Sequence, residues 1–267
     1  FYIGYVEHPD VLFAFKSPML FLAIMSLASL FTLFLLPEVK SNMVMKGGSR
    51  VRGGFKEVAR AIKELPPIIS RSIKTIYVNG AINGIGMGIM TSIAIVYIIE
   101  HVVKDPLYIG IFGIVISAVM LPVMMLAGYI SDRMKKRKPF IIFGYIVGRG
   151  AFFFIPFIKD FPTLLVMGIL AGMSFGVAMP IMRALQADLV SADIRGTIFG
   201  FQQLFFNSGI FVGALFGGWL ANIYAGEMFR VMGFEVSGYI VPFWLAASLG
   251  VLTALLFALY VKESGKP

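Results

Sequence analysis

Apolar residues fall in seven blocks along the chain, at 19–36, 77–99, 108–130, 140–158, 163–182, 198–221 and 239–261, each bounded by charged or turn-forming segments. A helix needs about 20 apolar residues to cross a bilayer, so the pattern predicts an all-α integral membrane protein of seven transmembrane helices. Gly84, Gly86, Gly88, Pro122, Pro156 and Pro180 interrupt the blocks, as membrane helices tolerate where they pack closely or kink. Only one connection on the basic side is long, the segment 37–76. In it Gly47, Gly48 and Ser49 read as flexible, and Phe55, Val58, Ala59, Ile62 and Leu65 share a helical face opposite Lys56, Arg60 and Lys63. Pro66 and Pro67 predict the end of that helix. It fits a helix lying at the membrane surface with its basic face near anionic lipid, and equally a linker packed under the bundle.

Composition strengthens the membrane reading: 58% of residues are hydrophobic and 14% charged, too apolar for a soluble surface. The net charge of +9 does not point to nucleic acid, because the cations cluster in a few loops between apolar runs. If the spans alternate, eighteen Lys and Arg residues fall on one side, against Lys16, Lys104, Lys159 and Arg230 on the other, with Arg149 inside a span. The richer side is expected to be cytoplasmic, with residues 1–17 outside and the C-terminus inside, as in a plasma (inner) membrane protein. An outside start without an initiator methionine or signal pattern implies a fragment, preceded by an odd number of further spans. Those upstream helices would be its first partners. There is no cysteine, and His8 and His101 lie outside the apolar blocks. Neither a thiolate site nor a buried haem or zinc centre is expected, and no cofactor is inferred.

The third block runs into Gly128-Tyr-Ile-Ser-Asp132-Arg133-Met-Lys-Lys-Arg137-Lys-Pro139. This resembles the Gly-x-x-x-Asp-Arg-x-x-x-Arg/Lys signature of major facilitator superfamily transporters, which recurs in weaker form between helices 8 and 9. Between the fifth and sixth blocks, Gln186-Ala-Asp188-Leu-Val-Ser-Ala-Asp193-Ile-Arg195-Gly196 is similar to the acid-x-Arg-Gly segment that opens helix 11 in many members. The resemblance implies that the seven spans are helices 6 to 12, the last six forming one six-helix half. Residues 1–36 would hold the end of the N-terminal half, 37–76 a basic cytoplasmic linker, and 77–267 the C-terminal transmembrane domain. It also implies a conformational gate at Gly128, Asp132, Arg133, Arg137 and Arg183. There Gly128 would admit a close helix approach. Asp132 would accept from a helix N-terminus or pair with Arg183. The plainer reading of Arg133 to Lys138 is a set of topology-fixing charges.

Polar side chains inside spans face a partner or a cavity. Asn79 and Asn83 lie four apart on one face of the second span, and Gln203 and Asn207 do so in the sixth, with Gln202 adjacent. The resemblance places these on helices 7 and 11, so all four are candidate substrate contacts. The competing role is interhelical hydrogen bonding at about 0.6 kcal/mol each. Arg149 sits near mid-span, where a charge costs about 2.5–3.5 kcal/mol on insertion scales. The resemblance puts it on helix 9, a helix that tends to be peripheral, which sets a snorkelling or carbonyl-capping arginine beside a functional one. No acidic residue lies inside a span. A coupling carboxylate would therefore sit near a loop, as Asp132 and Asp188 do, or upstream.

Together these imply a secondary transporter rather than an enzyme, carrying a small-molecule substrate by alternating access, with a coupling proton or cation and membrane lipid as partners. Amide, Met and Phe positions lean towards efflux of organic solutes. An uptake permease of the same fold, a membrane enzyme built on Asp188 and Asp193, and a non-transporting sensor are the alternatives.

Overall fold

The computed structural model describes residues 66–262 apart from positions 193 and 232. Among them six helices are long and apolar enough to span a membrane. The predicted first span at 19–36 and the amphipathic segment at 55–65 lie outside the described residues. The helices are α1 (Pro67–His101), α2 (Pro106–Met134), α3 (Lys138–Phe154), α4 (Phe161–Leu189), α5 (Arg195–Tyr224) and α6 (Ile240–Tyr260). A short 3-10 turn, Ile155–Phe157, follows α3.

Helix starts follow local chemistry. Asp105 caps α2 by accepting from Leu107 N at 2.9 Å, and Asp160 caps α4 by accepting from Thr163 N at 2.9 Å. Pro67 opens α1, where its missing N–H costs nothing. The Pro66-Pro67 pair thus begins a helix, and the expected linker boundary at 76 falls inside α1. The 228–237 connection, between the sixth and seventh apolar blocks, forms a hairpin of β1 (Met228–Val231) and β2 (Phe234–Ser237), in which Arg230 lies opposite Glu235. Its turn places Gly233 at φ +88°, the left-handed region that glycine enters without strain.

The helices neighbour one another in the order α5, α1, α6, α3, α4, α2, with α4 and α5 touching only lightly. Small residues set the closest contacts. A Cβ at Gly84 or Gly88 of α1 would run into the α5 backbone at Phe206 or Ile210, and one at Gly209 or Gly213 into the α1 backbone at Ala81 or Ile85. Gly172 and Gly176 of α4 lie in the same way against the Ile116 and Met120 carbonyls of α2. In lipid, close backbone approach of this kind supplies the packing that holds helices together.

Buried apolar side chains form two clusters. One, around Ile73, Ile141, Ile181, Leu185, Ile198 and Phe257, lies towards the loops rich in Lys and Arg. The other, around Ile93, Tyr97, Phe152, Ile158, Leu164 and Phe243, lies towards the opposite end. The buried polar residues Asn79, Arg149, Ser174 and Thr253 fall between them in sequence position on their helices. This polar layer positions the candidate site.

Candidate functional site

The layer is built by two helices with matched spacing. Tyr145 and Arg149, four apart on α3, face Asn79 and Asn83, four apart on α1. The Tyr145 hydroxyl approaches Asn79 Oδ1 at 3.5 Å, and Arg149 Nη2 donates to Asn83 Oδ1. Asn79 Nδ2 donates to the Thr253 carbonyl of α6 at 2.6 Å. Ser174 of α4 closes the layer by donating to the Gly144 carbonyl at 2.7 Å.

A cavity of about 130 Å³ opens beside this ladder, between α1, α3, α4 and α5. Its polar wall includes Asn83, Arg149, Gln202 and Gln203, and its apolar wall includes Met87, Phe152, Met179 and Phe206. Arg149 is 6% exposed. Its Nη1 donates to Met87 Sδ at 3.1 Å, and its guanidinium lies 5.0 Å from the Phe152 ring centre. Gly250 of α6 makes room for its stem, since a Cβ there would overlap the side chain.

The sequence candidates therefore divide. Asn83 and Gln203 line the cavity. Asn207 is outside the wall and accepts from Gln203 Nε2 at 3.0 Å. Asn79, 1% exposed, is engaged on both amide atoms and takes no part in the wall. Arg149, assigned by resemblance to a peripheral helix, faces inward. Among the described residues its guanidinium meets side chains of α1, Asn83 and Met87. Sequence spacing marks Gln202 only as a neighbour of Gln203, yet both line the cavity.

At the basic end, Arg137 precedes α3 and gathers the neighbouring chain ends. It donates to Asp132 Oδ1 at the end of α2, to Ser131 Oγ at 3.1 Å, and through Nε to Asp188 Oδ2 of α4 at 3.3 Å. Burial alone would lower the Arg137 pKa, but the hydrogen bonds and charges of the two aspartates outweigh it and hold it above its ordinary value. Arg195 Nε donates to the Ala187 carbonyl at 3.1 Å, fastening the start of α5 to the last turn of α4. The expected pairing of Asp132 with Arg183 is not formed. Arg137 takes Asp132, while Arg183 is exposed and lines the cavity. Among the described residues no helix N-terminus holds Asp132; its partner there is the Arg137 side chain just before α3. Gly128 has open space around it, so no close helix approach occurs there among the described residues. Arg133 is exposed. Asp193 lies outside the described residues.

Residues 76–267 match the family model described as Major Facilitator Superfamily. Among curated proteins, the chain is 24% identical over 202 residues to the quinolone resistance protein NorA of Staphylococcus aureus, in several strains. That match covers 74% of this chain and 47% of NorA, so the chain spans about half the length of the curated relatives it matches. Among solved structures it resembles a bacterial homologue of the human lysosomal transporter Spinster. Against the inward-facing, occupied form the TM-score is 0.57 at 17% identity, covering 75% of this chain and 46% of that one. Against the inward-facing, unoccupied form it is 0.58 at 19% identity, covering 75% and 44%.

Proposed function

The chain belongs to the Major Facilitator Superfamily, and on that premise we propose that it is part of a secondary transporter moving small organic solutes by alternating access. The observation that carries the reading is the cavity in the polar layer, where amides and an arginine meet methionines and phenylalanines between four spanning helices. A solute that is partly apolar and carries hydrogen-bonding groups suits such a wall. Asn83 and Gln203 are the proposed substrate contacts from the sequence candidates, with Gln202 and Arg149 added. Asn79 is proposed to hold the ladder that positions them, and Asn207 to orient the Gln203 amide.

Efflux is the direction we favour. The name of the Staphylococcus aureus relatives, quinolone resistance protein, supports movement of drug-like solutes out of the cell, and the mixed amide and thioether wall agrees with it. Coupling to a proton or cation, and a cytoplasmic position for the basic end in a plasma membrane, belong to the same proposal. Asp188, which a membrane-enzyme reading would need free, is engaged by Arg137.

Flux in proteoliposomes of the full-length protein tests the reading. Preloaded vesicles should exchange a labelled amphipathic solute faster than protein-free vesicles, and Asn83→Ala with Gln203→Ala should lower that exchange about tenfold or more. Flux indistinguishable from empty vesicles across a panel of organic solutes would sink it.

A further inference from the structure

We propose that the Arg149 end of the cavity is an anion-recognition point, taking the carboxylate or similar anionic head of a small amphipathic organic solute. The proposal rests on the transporter reading for its physiological role, and it names that reading's substrate class.

The cavity wall carries two cations, Arg149 and Arg183, and no Asp or Glu. The aspartates Asp132 and Asp188 are held at the basic end by Arg137. Arg149 is thus a buried cation at mid-span without a carboxylate partner among the described residues. A guanidinium keeps its charge in proteins, and a buried charge without a counter-charge is strongly disfavoured. Electrostatics therefore favour bringing an anion to this site.

Hydrogen-bonding capacity points the same way. A guanidinium presents five N–H donors in a planar fork. Here one meets Asn83 Oδ1 and one meets Met87 Sδ, a weak acceptor. The other N–H groups have no acceptor among the described residues. A carboxylate accepts two parallel N–H bonds from such a fork. The Phe152 ring lies against the guanidinium and Gly250 makes room for the stem behind it, so the group is placed before binding and less entropy is lost.

The rest of the wall describes the other end of the solute. Phe175, Met179, Met182 and Phe206 offer apolar surface, and methionine adapts to different shapes. Arg183 is exposed and lines the same cavity. A second cation there draws anions towards the site.

The probe pair is 2-naphthoate and its neutral amide, 2-naphthamide, which share a ring system and differ in charge. Equilibrium binding is measured on the full-length protein in phosphatidylcholine nanodiscs. Wild type should bind naphthoate about tenfold or more tightly than naphthamide. Arg149→Gln should abolish the preference and Arg149→Lys should retain part of it. Equal affinities in wild type, no binding of either probe, or an undiminished preference in Arg149→Gln would each overturn the proposal. The wild-type comparison decides even where Arg149→Gln fails to fold. Loss of the preference when phosphatidylglycerol replaces phosphatidylcholine assigns the anion to a lipid headgroup and overturns the solute assignment. A protein that binds naphthoate selectively but moves no solute keeps the anion site and loses the transporter reading. One that transports naphthamide and ignores naphthoate does the reverse.

Discussion

Gln186 shows how much a single residue leaves unsaid in one dimension. In the sequence it is only the first residue of the segment resembling the start of helix 11, between the fifth and sixth apolar blocks. In the structure it is 1% exposed and neither amide atom has a hydrogen-bond partner among the described residues. Such a group costs about 1–3 kcal/mol relative to a satisfied one. Gln186→Met keeps the length and removes both polar atoms, so it should raise the melting temperature of the purified protein. A fall would show that the amide has a partner, such as an ordered water. The same limit applies to Asn79 and Asn83. Their shared face is legible from a spacing of four, but nothing local says which helix that face meets. Asn79 holds α6 and α3, and only Asn83 reaches the cavity.

Elements are more legible than their contacts. Hydropathy places all six described helices, because lipid enforces a length and a composition on each. It misses the first turns of α1, from Pro67 to Ile76, since amphipathic chain ahead of a span carries no hydropathy signal. It also misses the hairpin at 228–237. Alternation in Met228-Phe-Arg-Val and Phe-Glu-Val-Ser about Gly233 is the available sign. The glycines separate two kinds of helix face. A Cβ at Gly88 would meet the α5 backbone at Ile210 and, at 2.7 Å, Ala214 N, neither of which can rotate away. At Gly128 it would meet nothing among the described residues. Gly88→Ala should therefore destabilise the protein by about 1–3 kcal/mol through overpacking. Gly128→Ala should stabilise it by about 0.5–1 kcal/mol through helix propensity. Thermal unfolding in detergent reads both. Destabilisation by Gly128→Ala would place a further segment of the full-length protein against that face.

At the scale of the whole molecule, alternating access requires two arrangements whose balance a few contacts can shift. The Arg137 network is proposed as one of them, because it ties the end of α2, the start of α3 and the last turn of α4 through a single guanidinium. Its two arms are not equal. The Asp132 side chain is 67% exposed and that of Asp188 is 32% exposed, so solvent screens the first arm more. An exposed pair contributes about 0.2–1 kcal/mol, which moves a two-state ratio by at most about fivefold. Asp132→Asn should accordingly shift the balance modestly and Asp188→Asn further, while the double variant should shift it by less than the product of the two, since both act through Arg137. The chain has no cysteine, so single introduced cysteines at either end report each arrangement by labelling rate without a background from this part of the protein. Unchanged labelling and transport in Asp132→Asn would reduce that residue to a topology-setting loop charge. Unchanged behaviour in Asp188→Asn as well would remove the network from the gate altogether and leave Arg137 a structural tie between α3 and α4.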